Sequence, residues 1–233
     1  MVEGATLTWR AVSDRLPVDG VVYTGELGRA PEGAALLELA SEAGIPCHRA
    51  SAGLMGTLTP TRPLPAVIAA VRLRLAEASR LRTSPGTLLL VAEDLQNPDN
   101  LGMVLRTADA AGAEAVVVAG DPLHRNCVRA ARGAVGRVPI FTCADLPSWL
   151  TDLRGRGFQV IGATAHADVS LFACALRLPI AIVVGNEEHG VSRAVLDACT
   201  DRVRIPMVPG QDSLNVGVAA GVLLYEVRRR CGM

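Results

Sequence analysis

The sequence predicts an α/β fold: a largely parallel sheet with helices on both faces, preceded by a small α/β domain. Three observations predict it. From Thr87 onward, short apolar runs alternate with segments of helical character. Before Thr87, a shorter strand, helix and strand pattern ends in an Arg-rich stretch closed by Ser84-Pro85-Gly86. Half of the 233 residues are hydrophobic and 20% are charged, a composition that buries a core.

Taken in order, VDGVVYT (18–24) has strand character, and PEGAALLELASEAG (31–44) reads as a helix. Pro31 stands where a first turn tolerates it, and Gly44 ends the helix. IPCHRA follows as a second strand, and PAVIAAVRL, from Pro65 to Leu73, as a third. The domain boundary is placed near residue 80, within RLRLAEASRLRTSPG, giving domains 1–80 and 81–233. After it, TLLLVAE, EAVVVAG, RVPIFT, FQVIGAT, PIAIVVG and DRVRIPM read as strands of a parallel sheet, which binds ligands at the carboxyl ends of its strands.

Composition excludes several classes of function. All 23 Lys or Arg residues are Arg, so chemistry that needs a lysine, such as a P-loop or a pyridoxal Schiff base, is ruled out. Guanidinium forks suit phosphate, but the net charge of zero confines any RNA site to a local patch. The six cysteines are scattered without a CxxC pair, and Cys47-His48 alone cannot build a metal site. They read as reduced and mostly buried, and no metal is expected. No apolar run is long enough to cross a bilayer, and the polar start MVEGATLTWRAVSDR is not a secretory leader, so a cytoplasmic location is expected.

Three polar clusters follow strand ends. The first runs from Asn97 through Asn100 and Gly102 to Arg106; the second is Gly185-Asn186-Glu187; the third runs from Ile205 and Met207 to Ser213-Leu214-Asn215. In the first, a helix opening offers free N–H groups to an anion, and Arg106 can fork onto a phosphate. Arg106 lies in an otherwise apolar amphipathic run, where an unpaired guanidinium would be costly. In the second, Gly185 leaves room for a ligand above the strand end, so a bulky side chain there is expected to fill a pocket. Glu187 also suits helix capping or a salt bridge. In the third, Ser213 fits a helix N-cap, worth about 1 kcal/mol, from which Asn215 gains nothing obvious.

NPDNLGMVLRTADAAG, VVGNEEHGVS and IPMVPGQDSLNVGVAAGVLLYE resemble, in that order, the three motifs of the SpoU (TrmH-like) branch of the SPOUT RNA methyltransferases. The resemblance runs from Thr87 to the C-terminus. It implies a C-terminal trefoil knot, a homodimer with its active site at the interface, and transfer of a methyl group from S-adenosylmethionine to a ribose 2'-hydroxyl of rRNA or tRNA. Gly185, Ile205 and Leu214 would line the cofactor pocket with Thr164, Met207 and Asn215. Asn100, Arg106, Glu187, Ser213 and Asn215 would be the catalytic set, with Arg106 and Asn100 positioning the phosphate and the 2'-oxygen. Arg129, in a stretch similar to the RASxGA pattern but with Ala131 for its Ser, would contact RNA together with Arg106. Glu188 stands where the family often has a small residue.

The stretch ALLELASEAGIPCHRASAGLMGTL resembles the ribosomal-protein-like RNA-binding domain that many members carry, without its first helix and with TRPLPAV in place of a His-Pro-Gln-Gly-like turn. Two alternatives stay open. One is a methyltransferase of the same fold acting on a small molecule or another nucleic-acid position; the other is an RNA-binding protein without catalysis.

Overall fold

The computed structural model describes residues 1–232. They form two compact units, Met1–Arg74 and a second from Leu75 onward.

The first unit contains β1 (Val2–Glu3), α1 (Ala5–Ser13), β2 (Val18–Thr24), α2 (Pro31–Glu42), β3 (Cys47–Ala50), α3 (Ala52–Leu58) and β4 (Val67–Val71). Its sheet has the order β1-β4-β2-β3. β2 and β3 are parallel, which requires the crossover that α2 supplies, while β4 runs antiparallel to both β1 and β2. Val21, Leu36, Val67 and Ala69 form the centre of its core. Strands and helix stand where the apolar runs put them. The expectation that no helix precedes the first of these strands is corrected: Leu7, Thr8, Ala11 and Val12 are buried along one face of α1, at the spacing of a helix too short to stand out in the sequence.

The second unit continues with β5 (Ala76–Glu77), β6 (Leu88–Glu93), α4 (Pro98–Ala110), β7 (Ala115–Ala119), α5 (Arg125–Ala130), β8 (Ile140–Thr142) and α6 (Leu146–Gly155). After them come β9 (Gln159–Ala163), β10 (Val169–Ser170), β11 (Ile180–Val184), α7 (Arg193–Ala198), β12 (Asp201–Arg204) and α8 (Val216–Cys231). Eight strands form one sheet in the order β10-β12-β9-β11-β6-β7-β8-β5, and every pairing is parallel. Alternate strand residues face opposite ways. Leu89, Val91, Val117, Val160 and Val183 pack under α6 and α7, while α4, α5 and α8 pack together on the other side. The fold class predicted from the alternation is therefore the one observed. The two strands it did not predict, β5 and β10, are two-residue edges, too short to show a period.

The boundary falls earlier than residue 80. β5 pairs with β8, Ala78 and Leu81 are buried in the core of the second unit, and the Trp149 indole Nε1 donates to the Ala78 carbonyl at 3.3 Å. The Arg-rich stretch therefore contains an edge strand of the larger sheet. A fragment starting at Leu75 is expected to melt as a cooperative unit. One starting at Arg82 loses β5 and the Leu81 side chain and should be less stable by about 3 kcal/mol or more. Thermal melts of the two fragments test this, and equal midpoints would return the boundary to residue 80.

Among the described residues no helix is long and apolar enough to cross a membrane, and no cluster of His, Cys, Asp and Glu could hold a metal. The six cysteines are free; three are buried and three half-buried. Burial pushes the Cys127 and Cys199 thiols up to about 12, which leaves them unreactive.

Candidate functional site

Starting from β6, the sheet is laid down toward β8 on one side and, through β11 and β9, toward β10 on the other. Ligands bind an open parallel sheet where the order reverses, outside the carboxyl ends of the strands. A cleft of about 430 Å³ opens there. Thr164 lines it beyond β9, Gly185 beyond β11, and Ile205 and Met207 beyond β12. Ser213, Leu214 and Asn215 enter from the segment before α8, and Asn100 from α4. Every residue expected at the cofactor thus faces one cavity, as do four of the five in the catalytic set.

The three polar clusters are joined by hydrogen bonds. Glu187 Oε1 accepts from Asn100 Nδ2 at 2.8 Å and from the Asn97 N–H at 3.2 Å, and Oε2 accepts from the Gln96 N–H at 3.0 Å. Asn100 Oδ1 accepts from Asn215 Nδ2 at 2.9 Å, and Asn215 Oδ1 accepts from the Gly217 N–H at 2.9 Å. Two expectations change. The opening of α4 is not free for an external anion, because the chain's own Glu187 occupies it. The N-cap of α8 is Asn215 rather than Ser213, so Asn215 both starts that helix and fixes Asn100. Ser213 is exposed, and its carbonyl accepts from Gln211 Nε2.

Partial burial pushes the Glu187 carboxyl up, but the hydrogen bonds from Asn100, Gln96 and Asn97 outweigh it and hold the group below the ordinary carboxylate range. An ionised acceptor already holding three N–H groups orients its neighbours and is a poor base. Because its folded value is depressed, Glu187 contributes stability above the unfolded carboxylate value of about 4.3, and that contribution is lost as pH falls through the folded value. Glu187→Gln is therefore expected to cost about 1 kcal/mol near neutrality, limited by the residue's exposure, and less as the pH is lowered below about 4. Melts of both proteins across that range test it; a pH-independent difference would assign the effect to packing.

Gly185 is required for a different reason from the one expected. A Cβ there would lie 2.3 Å from the Gly190 carbonyl oxygen and 2.4 Å from the Val191 nitrogen. The space above the strand end is filled by the chain's own returning loop. Asn186 holds that loop: its Nδ2 donates to the Asp94 carbonyl at 2.9 Å, and its Oδ1 accepts from the N–H groups of Glu188 and His189 at 2.8 and 3.0 Å. Glu188 fits without strain because the turn binds only its backbone and its side chain is exposed. Asn186 was legible as part of the second cluster but carried no role there. His166, which also lines the cleft, follows a strand end and was marked by position alone.

Arg106 departs furthest from expectation. It is exposed on the solvent face of α4, outside the cleft, and its side chain has no partner among the described residues. The argument from a costly buried guanidinium therefore fails: Leu101, Val104, Leu105 and Ala108 turn inward, and Arg106 lies between them on the helix's outer side. Arg129 is half-exposed and pairs with Asp99 at 3.2 Å, a surface contact of little energetic weight. It stands beside the opening of α4 because α5 packs closely there: a Cβ on Gly102 would lie 2.4 Å from the Cys127 carbonyl oxygen. Ala131, at the patterned Ser position, is fully buried.

Residues 87–225 match the sequence profile of the SpoU rRNA Methylase family. The 23S rRNA (guanosine-2'-O-)-methyltransferase RlmB of Ralstonia nicotianae is 40% identical over 146 residues, covering 61% of this chain and 59% of that protein. The chain thus spans about three-fifths of the length of the relatives it matches in sequence. Among solved structures, an RNA 2'-O ribose methyltransferase superposes with a TM-score of 0.82 at 34% identity, covering 98% of this chain and 87% of that one. The SpoU methyltransferase AviRb of Streptomyces viridochromogenes, solved with S-adenosylmethionine, gives a TM-score of 0.84 at 26% identity, covering 98% and 89%. With the profile covering more than half of its length and the three motifs meeting in one cleft, the chain belongs to the SpoU rRNA methylase family.

Proposed function

We propose that the protein transfers a methyl group from S-adenosylmethionine to a ribose 2'-hydroxyl of rRNA or tRNA. The observation that carries this reading is the chain Glu187–Asn100–Asn215, which binds all three motifs together at the rim of one cleft. The cavity suits the cofactor. Its volume lies in the range of small-molecule sites, Ile205, Leu214 and Val184 supply apolar wall, and Glu188 and Asp212 supply carboxylates for a cationic ligand. When bound, the cofactor supplies an activated methyl group, so no metal is called for. Asn100, oriented from both sides, offers its amide toward the 2'-oxygen, and Arg106 fixes the adjacent phosphate. Glu187 keeps Asn100 in place and leaves the proton to another acceptor.

The same reading includes a second copy of the chain. Met103 on α4 and Val218 and Tyr225 on α8 are exposed apolar side chains on two helices packed against each other, and Arg106 is exposed on α4 three residues after Met103. A partner covering them would bring Arg106 into a shared site. The knotted C-terminus of the family, a cytoplasmic location and an RNA-binding role for the first unit with Arg129 belong to this proposal. Total RNA incubated with methyl-labelled cofactor, digested and resolved by mass spectrometry, is expected to yield one 2'-O-methylated nucleotide. Label on a base or on a small molecule would replace the substrate. Absence of cofactor binding by calorimetry would leave an RNA-binding protein without catalysis.

A further inference from the structure

The first unit holds a cavity of about 620 Å³. It lies at the carboxyl ends of the parallel pair β2 and β3, where Thr24 and Ala50 face each other in register. Thr24 lines it, and this residue is more than nine-tenths buried with a hydroxyl that has no hydrogen-bond partner. A buried hydroxyl without a partner costs stability, so one beside a cavity points to a missing ligand. Arg29 and Arg49 line the same cavity, and neither guanidinium has a partner among the described residues. The Arg49 Nη2 stands 2.8 Å from the point that a Cβ on Gly25 would occupy, so this guanidinium lies folded over the strand end. Glu26 is the cavity's one carboxylate, also unpaired, leaving two positive charges against one negative.

We infer that this cavity is a phosphate site for substrate RNA, with Arg29 and Arg49 forking onto a backbone phosphate and the Thr24 hydroxyl donating to it. An all-arginine chain of zero net charge has to concentrate its phosphate contacts, and two free guanidiniums beside an unsatisfied donor are such a concentration. The inference rests on the RNA reading proposed above and assigns it a second contact point, on the first unit.

Three full-length variants test it: Arg29→Ala with Arg49→Ala, Thr24→Val, and Glu26→Gln. Binding of labelled total rRNA and tRNA is measured across a salt series, with cofactor affinity and melting as controls. The double variant is expected to bind at least about 10-fold more weakly, and its log–log salt slope to flatten by about 0.7 to 0.9, the counterion release from one phosphate contact. Thr24→Val should lose about 10- to 100-fold in affinity, as for one hydrogen bond to a charged group, while melting no lower than the parent. Glu26→Gln should bind more tightly. A parent that binds RNA and a double variant that binds it equally well, with the same slope, would overturn the inference and leave the methyl-transfer reading standing. A parent that neither binds nor methylates RNA would remove both. Inorganic phosphate or AMP bound as tightly as RNA would reassign the cavity to a free phosphate ligand and overturn the RNA assignment.

Discussion

Arg106→Ala is expected to lose about 100- to 1,000-fold in methyl transfer to total RNA while keeping the parent's cofactor affinity and melting temperature. The reason is its placement. The side chain is exposed, has no partner among the described residues and lies outside the cleft, so removing it disturbs neither the fold nor the cavity. Arg106→Lys should recover little, since an ammonium cannot reproduce a planar fork. If a second copy completes the site, mixed dimers of Arg106→Ala with a variant that cannot hold the cofactor contain one intact site assembled from the two healthy halves. Activity recovered on mixing is the expected result. Freely exchanging subunits that recover none would count against the shared site, and a fully active Arg106→Ala protein would end the assignment of Arg106 to the reaction.

The second large effect is at Gly185, where even alanine is expected to abolish cofactor binding. Its Cβ would meet backbone atoms of Gly190 and Val191 at 2.3 to 2.4 Å, and backbone cannot move aside as a flexible side chain can. The loop from Asn186 to Gly190 would shift, carrying Glu187 off the opening of α4 and releasing Asn100. Overpacking of this kind costs about 1–3 kcal/mol, so a lowered melting temperature should accompany the loss. Calorimetry and melting on Gly185→Ala decide the matter. Undiminished binding with normal melting would show that the loop yields freely. The variant also serves as the cofactor-deficient partner in the mixing experiment.

Glu226 shows how an arginine-only chain anchors its last helix. Hydrogen bonds from Arg229 and then Arg230 outweigh partial burial and hold its carboxyl down to about 2. Arg230 continues to the carbonyls of Cys174 and Phe172, tying the end of α8 to the segment after β10. None of the three stood out in the sequence. Their spacing is that of any solvated helix end, and the carbonyls that Arg230 reaches, on Cys174 and Phe172, lie 56 and 58 residues away.

The sequence by itself determined the fold class, the six strands that form the middle of the large sheet, and the three clusters that supply the site. These depend on local chemistry: apolar runs long enough for strands, and polar residues placed where parallel strands end. Tertiary structure decided how the clusters act. Glu187 and Asn100 are 87 residues apart and Asn100 and Asn215 are 115 apart, so no periodicity could disclose that one amide bridges the other two. The reading of Arg106 as a costly guanidinium among apolar residues fails, because an apolar neighbourhood in sequence becomes an outward-facing position once a helix turns its other residues inward. Gly185 was assigned to ligand approach, and only the returning loop revealed that backbone fills the space. The boundary near residue 80 and the orphaned hydroxyl of Thr24 share that cause: a two-residue strand and a missing hydrogen bond exist only after distant segments pack, and neither leaves a pattern in the chain that forms it.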